Sequence, residues 1–462
     1  MKRITRKAAA MKALGIDIGT TTISSIILDG ENGEVLGSRT VLNDSAVQGQ
    51  DFERLLNPEL IWEKSCEVVE DLIRTWGPVD SIGTTGQMHG MLYLDEEGNP
   101  VSPLYTWQDG RGDLPYRDGK TYAEYLADVT GIWMATGFGL TTHFYNMVNG
   151  LVPENAVKMT TIGDFIGMKL CGAKEPFISG GNAASWGCFN LEEGRFYTEE
   201  LIRAGVNPDL LPEVINDSRT IGSTPEGVPV SVSLGDNQAG VIGCVKDLKS
   251  SVLINVGTSG QVSFGMDRFV KSAGDIELRP CTDGMYFLAG SALCGGRAYA
   301  MLEQFFRDVV RMAGGDAAPL YSEMAKELTN RPPYKDKLKI TTKFSGTRSN
   351  PEDRGAIENI SPLNFTVSNF ILGMMEGIAG ELHDMYDEMC SLKGEGGTYL
   401  IGAGNGLRKN PILRSVFEEM FGMKMEIPAH VEEASYGAAL FSLKAAGKFD
   451  SLEEAQQMIR YQ

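Results

Sequence analysis

A chain of 462 residues with 42% hydrophobic, 22% charged and 8% aromatic residues can bury about two or three domain cores without staples. Its 42 Lys+Arg against 61 Asp+Glu leave a net charge of −19, a field that repels nucleic acid and anionic membranes, so neither is expected as a partner. Any anionic ligand must then be held by local dipoles and metal. The seven cysteines, at 66, 171, 188, 244, 281, 294 and 390, form no Cys-x-x-Cys pair and are odd in number, which reads as reduced thiols of a cytoplasmic protein. Lys2, Arg3, Arg6, Lys7 and Lys12 are followed by no apolar signal-peptide core, and no run of eighteen apolar residues occurs. Residues 1–11 are expected to be an extension.

The first element in chain order is a hairpin. Residues 14–28 run through a β-rich segment, the turn Asp17-Ile18-Gly19-Thr20-Thr21 and a second β-rich segment. Residues 252–264 repeat the pattern with Asn255-Val256-Gly257-Thr258-Ser259, about half the chain away, which predicts a duplicated α/β domain. Each Gly-Thr turn bares backbone N–H groups and hydroxyls suited to phosphate oxygens, although Gly-Thr is also ordinary turn chemistry. Asp17 would face such phosphates through Mg²⁺, held directly or through water; an Asx-turn cap is the plainer reading. Pro58–Thr75 predicts a helix, closed by Gly77-Pro78 and followed by a short strand into Gly83.

Two polar clusters follow. Gly86-Gln87-Met88-His89-Gly90 and Trp107-Gln108-Asp109-Gly110-Arg111 gather amides, imidazole, carboxylate and guanidinium around turns, with Trp107 offering an apolar face, a composition suited to a polyol. The remaining histidines, at 143, 383 and 430, have no ligand spacing for zinc. In 228–240 an alternating strand gives way at Asp236-Asn237-Gln238 to a small-residue helix. Asp236 there is either an N-cap or the general base for a hydroxyl nucleophile. The polar stretch 246–250 marks the expected boundary between domains 12–246 and 247–462. In the second domain, apolar residues from Val367 to Met389 keep helical spacing, and their methionines read as packing. A strand at 398–401 leads into Gly402-Ala403-Gly404-Asn405-Gly406-Leu407. This lacks the third glycine of a dinucleotide fingerprint and fits a turn lying flat on an adenine better. A helix over Pro411–Phe421 and a β-run near Met425–Ile427 close the pattern. Alternating β and α elements predict α/β layering in both halves.

Gly15-Ile-Asp-Ile-Gly-Thr-Thr, Gly86-Gln-Met-His-Gly, Trp107-Gln-Asp-Gly-Arg, Gly235-Asp-Asn-Gln-Ala-Gly, Asn255-Val-Gly-Thr-Ser and Glu433-Ala-Ser-Tyr-Gly-Ala-Ala together resemble the FGGY carbohydrate kinases over about residues 12–445. Within that family, the two sugar-side motifs and the segment Gly163-Asp-Phe through Asn182-Ala-Ala-Ser-Trp-Gly-Cys-Phe-Asn190 are most similar to the sedoheptulokinases. The resemblance implies two actin-like (ribonuclease H-like) α/β domains around a central cleft, and ATP-dependent phosphorylation of a terminal ketose hydroxyl. The sugar it implies is sedoheptulose; xylulose or another polyol is the alternative within the family, and a non-catalytic nucleotide or sugar sensor is the alternative outside it. The implied cofactors are ATP and Mg²⁺, and the implied partner is a small sugar, with a homodimer as the candidate assembly.

Carried over by position, Asp236 is the implied general base. Gln87, Met88, His89, Trp107, Asp109, Arg111, Asp236 and Asn237 are the implied sugar contacts. Gly19, Thr20, Thr21, Gly257 and Thr258 are the implied phosphate-loop residues, and Gly295, Gly296, Gly402, Ala403, Gly404 and Asn410 the implied nucleotide pocket. Asp17 is the implied metal-side carboxylate. Asn146 departs from the lysine of many relatives, which leaves His143 beside it without an implied role.

Overall fold

The computed structural model describes residues 11–272, 274–316, 318–329 and 336–462, so the expected extension lies outside the described residues except for Met11. The chain forms two compact units. The first comprises the described residues up to Lys246 with Arg279–Met285 and Glu432–Arg460; the second comprises Asp247–Leu278, Tyr286–Val431 and Tyr461–Gln462. A single cut at 246/247 therefore does not describe them, because the C-terminal helix returns to the first unit.

The first unit opens on β1 (Lys12–Ile18) and β2 (Thr22–Asp29), both buried along nearly their whole length, followed by the amphipathic β3 (Val35–Leu42). Strands buried on both faces read as continuous apolar runs, and Leu14, Ile16, Ile18, Ile23 and Ile27 enter one core with Ile82 and Val230. Helix α1 (Pro58–Trp76) starts where the Asn57 side chain accepts from the N–H groups of Glu59 and Leu60, with Pro58 in the first turn, and ends at Gly77. Strand β4 (Ser81–Gly86) follows, then the helices α2 (Gly139–Val148), α3 (Ile162–Leu170) and α4 (Gly180–Ser185). Short strands β5 (Thr220–Ser223), β6 (Pro229–Ser231) and β7 (Leu234–Gly235) lead into α5 (Asp236–Cys244). The sheet order is β5-β6-β4-β1-β2-β3, with β7 also paired to β4. Strand β1 is antiparallel to β2 and parallel to β4, and β7 is parallel to β4, so Ile18, Gly86 and Gly235 end at one edge of the sheet.

The second unit repeats this start. Strands β8 (Ser251–Val256) and β9 (Gly260–Met266) form an antiparallel hairpin with a three-residue loop, 257–259, as 19–21 joins β1 to β2. Strands β10 (Ile276–Pro280) and β11 (Tyr286–Ala292), helix α6 (Gly296–Met312), the long α7 (Val367–Lys393), β12 (Tyr399–Ala403), α8 (Pro411–Phe421) and β13 (Met425–Glu426) complete it. The sheet order is β10-β11-β9-β8-β12-β13, and β12 lies parallel to β8 as β4 does to β1. Met374, Met375 and Met389 on α7 are buried beside Ile371, Ile378 and Leu382, so the methionine stripe packs the core.

Helix α9 (Glu433–Ala445) then lies against β1, β4 and α5 of the first unit. Its approach is as close as backbones allow: a Cβ on Gly437 would stand 1.8 Å from the Ala239 carbonyl oxygen, and one on Gly15 1.8 Å from that of Ser435. The small residues of the Glu433–Ala439 run are the condition for this packing. The seven cysteines are unbridged, four buried and three partly so.

Candidate active site

Three parallel strand ends of the first unit bring the candidate residues together, at the position that favours ligands in α/β sheets. Asp17 is the penultimate residue of β1, Gln87-Met88-His89 follow β4, and Asp236 follows β7 as the first residue of α5. The N-cap position of α5 is Gly235, which has no side-chain cap, so the Asp236 carboxylate is not spent as an N-cap. Asp236 keeps an accessible surface, yet the protein around it pushes its carboxyl up to about 6. Burial is the main cause, opposed by the Asn237 N–H and the Arg279 guanidinium. Arg279 also donates to Asn237 Oδ1 at 2.8 Å.

Asp17 is the more strained charge. Burial first, then the Asp236 and Glu432 carboxylates, push it up to about 7, and its Oδ1 is buried without a hydrogen-bond donor. Glu432 is held by Ser24 Oγ, which donates to its Oε2 at 2.8 Å. An orphaned carboxylate oxygen facing two further carboxylates fits a divalent cation. Among the described residues no group of three or more His, Cys, Asp or Glu forms a complete metal cage. Mg²⁺ needs none, since one or two carboxylates with phosphates and water suffice.

The first hairpin loop is pinned at its carbonyls: Asn43 Nδ2 donates to Gly19 O and the Asn43 N–H to Thr21 O, both at 2.8 Å. Thr20 Oγ1 accepts from Trp107 Nε1 at 3.1 Å and donates to Gln87 Oε1 at 3.4 Å. The structure thus brings Thr20, Gln87 and Trp107 together, with Trp107 48% exposed. Met88 lies against Gly235, and His89 stacks on Phe138 with ring centroids 5.0 Å apart. Asp109 and Arg111, read from the sequence as sugar contacts, are both buried, and Arg111 spends its polar atoms inside the protein. Arg111 Nε donates to Asp109 Oδ1 at 2.6 Å and Nη2 to Asp109 Oδ2 at 3.2 Å; Nη2 also meets Glu53, Nη1 meets Asn146, and the guanidinium lies 4.2 Å from the Tyr105 ring centre. This pair is a rigid backing. His143 belongs behind it: buried, it pairs through Nδ1 with Tyr93 Oη at 2.8 Å, and burial lowers its pKa to about 4, so it stays neutral.

In the second unit, Gly257, Thr258 and Ser259 form an exposed loop whose carbonyls are tied to the start of α6. Gly295 and Arg297 N–H donate to Thr258 O at 3.1 Å, and Gly296 N–H to Gly257 O at 2.9 Å. These helix-start amides hold the loop in place. Gly404 has φ +81°, and a Cβ there would stand 2.5 Å from Asn255 Oδ1, so the turn after β12 is locked against the end of β8. Gly402 and Ala403 are buried in β12, and Asn410 caps α8, its Oδ1 accepting from Leu413 N–H at 3.0 Å.

Sequence reasoning missed Glu432, Arg279, Asn43 and Phe138. Glu432 directly precedes the Glu433 motif and carried a readable signal; the other three act through the tertiary fold alone.

Residues 12–253 match the model for the N-terminal domain of the FGGY family of carbohydrate kinases, and residues 252–446 that for its C-terminal domain. The chain is 29% identical to a sedoheptulokinase of Mus musculus, over 93% of this chain and 97% of that protein. It is 22% identical to a xylulose kinase of Staphylococcus xylosus, over 96% and 93%. Its fold is like that of a Plasmodium falciparum glycerol kinase solved with ADP, with a TM-score of 0.81, 18% identity and coverage of 98% of this chain and 93% of that one.

Proposed function

Because the chain belongs to the FGGY family of carbohydrate kinases, whose two domains are actin-like, we propose that it transfers the γ-phosphoryl group of ATP to a terminal hydroxyl of a ketose, sedoheptulose giving sedoheptulose 7-phosphate. The observation that carries the chemistry is Asp236: an accessible carboxyl held at a helix start, with a pKa raised toward neutrality and therefore a better proton acceptor than an ordinary aspartate. The sugar hydroxyl gives its proton to Asp236 as it attacks, in a reaction where positioning outweighs base strength. Gln87, Met88, His89, Trp107 and Asn237 orient the sugar, with Asp109 and Arg111 as backing. Gly19, Thr20 and Thr21 face phosphate oxygens; Gly257, Thr258, Gly295, Gly296, Gly402, Ala403, Gly404 and Asn410 form the nucleotide loops. Asp17, with Glu432 behind it, would hold Mg²⁺, which when bound supplies positive charge to the transferring phosphoryl oxygens.

The sugar assignment rests on the Mus musculus sedoheptulokinase, and the Staphylococcus xylosus xylulose kinase supports xylulose as the second reading. No helix among the described residues is long and apolar enough to cross a membrane. A coupled ADP-release assay across ketoses and polyols tests both readings. The highest kcat/KM is expected for sedoheptulose, and a higher value for xylulose would replace it; ADP release from no sugar would favour a non-catalytic sensor.

A further inference from the structure

His89 is one of five described non-glycine residues with a positive φ, at 71°. A left-handed histidine is strained unless its surroundings over-determine it. Here they do. The His89 N–H donates to Ser185 Oγ at 3.0 Å, its Nδ1 lies 2.7 Å from Ser185 O, and its ring is stacked on Phe138 at an interplanar angle of 10°. A carbonyl oxygen only accepts, so Nδ1 carries a proton, which fixes the orientation of the ring. The next residue is tied to the same segment, because Trp186 Nε1 donates to Gly90 O at 3.0 Å. Three hydrogen bonds therefore join residues 185–186 to residues 89–90.

The segment is itself anchored. Ser185 Oγ donates to Asn182 O at 2.7 Å; Asn182 Nδ2 donates to Asp164 Oδ2 at 3.2 Å and to Ser233 O at 3.5 Å, three residues before Asp236. Asn182 and Trp186 are buried, at 2% and 0% exposure, so they act behind the sugar-side loop and do not contact a sugar themselves. The similarity of 182–186 to the sedoheptulokinases thereby acquires a physical content, a segment that holds the sugar-side loop from behind.

We propose that Ser185 is a positioning residue for sugar binding: with Phe138 it holds His89 in its left-handed conformation and ring orientation, and Asn182 links that hold to Ser233, just before the strand that delivers Asp236. This rests on the reading of His89 as a sugar contact. The test uses the full chain with whichever carbohydrate the wild type phosphorylates best, so a substrate other than sedoheptulose overturns the sugar assignment and leaves this comparison intact. Ser185→Ala removes the acceptor of a backbone N–H and is expected to raise KM for the sugar about ten-fold while KM for ATP stays within about two-fold. In a His89→Asn background, which keeps a residue tolerant of positive φ, the Ser185→Ala penalty should largely vanish. If Ser185→Ala fails to bind a non-hydrolysable ATP analogue and so is not folded, Phe138→Leu carries the same expectation. Equal rises in both KM values, an unchanged sugar KM, or additive losses with His89→Asn would overturn the proposal.

Discussion

Asp236 and Asp17 are the same residue type proposed for different tasks, and their surroundings differ. Asp236 has Arg279 pulling its pKa down against burial and stays near 6; Asp17 has two carboxylates pushing it further, to about 7. Asp236→Asn is expected to keep ATP-analogue binding by calorimetry and to lose sugar-dependent ADP release by about 10²–10⁴-fold, the range of a positioned base. A general base must be ionised, so kcat/KM for the sugar should fall as pH drops through about 6 and level off above it. A purified Asp236→Asn variant with near wild-type turnover would remove it from the chemistry. The placement of Asp236 was legible in the sequence because a strand running into a small-residue helix is a local pattern. Arg279 was not, since it reaches Asp236 from the end of β10, a strand far from it in the chain.

Each element around the site depends on close backbone approach, and the glycines separate required from idle. Gly437 and Gly240 lie in the two helices α9 and α5 that pack together, but a Cβ on Gly437 would meet the Ala239 carbonyl at 1.8 Å, while one on Gly240 points away and meets nothing within 4 Å. Gly437→Ala must push α9 away from α5 and should cost about 1–3 kcal/mol or more. Gly240→Ala should be neutral or stabilise by up to about 1 kcal/mol through helix propensity. Urea unfolding of the two variants decides this, and equal stabilities would contradict the packing. Gly404 is the counterpart in the second unit. Gly404→Val meets both a positive φ and the Asn255 side chain, so it should displace the turn after β12 and weaken ATP-analogue binding more than sugar binding in parallel titrations. The sequence showed that this turn needed glycine. It did not show the contact of that glycine with the end of β8.

Across the whole chain, the duplication was legible because it is written twice in the same residues: two hairpins with three-residue loops, each with a parallel strand beside its first strand. The division into units was not, since helical periodicity cannot tell which sheet α9 covers. The buried acids were also hidden, because burial is a property of the assembled fold. Asp164, on α3, is fully buried, with Thr161 Oγ1 and Asn182 Nδ2 donating to Oδ2 and Oδ1 unpartnered; burial outweighs those bonds and pushes its pKa up to about 8. Asp17 adds a second raised carboxyl at about 7. Both folded values lie above the ordinary 3.8, so between these limits the folded chain binds more protons than the unfolded one. Stability is then greatest on the acid side of that window and is lost as pH rises through 7 and 8. The net charge of −19 acts in the same direction through self-repulsion, so the trend alone does not identify the residues. Asp164→Asn does: it keeps an acceptor for Thr161 and Asn182 and removes the ionisation. The variant should exceed wild type in urea midpoint by a smaller margin at pH 5.5 than at pH 8.5, with a shallower fall between them. A wild-type midpoint that rises from pH 5.5 to 8.5, or a variant that falls in parallel with it, would mean that Asp164 is ionised in the folded protein and paired by a group these contacts do not include.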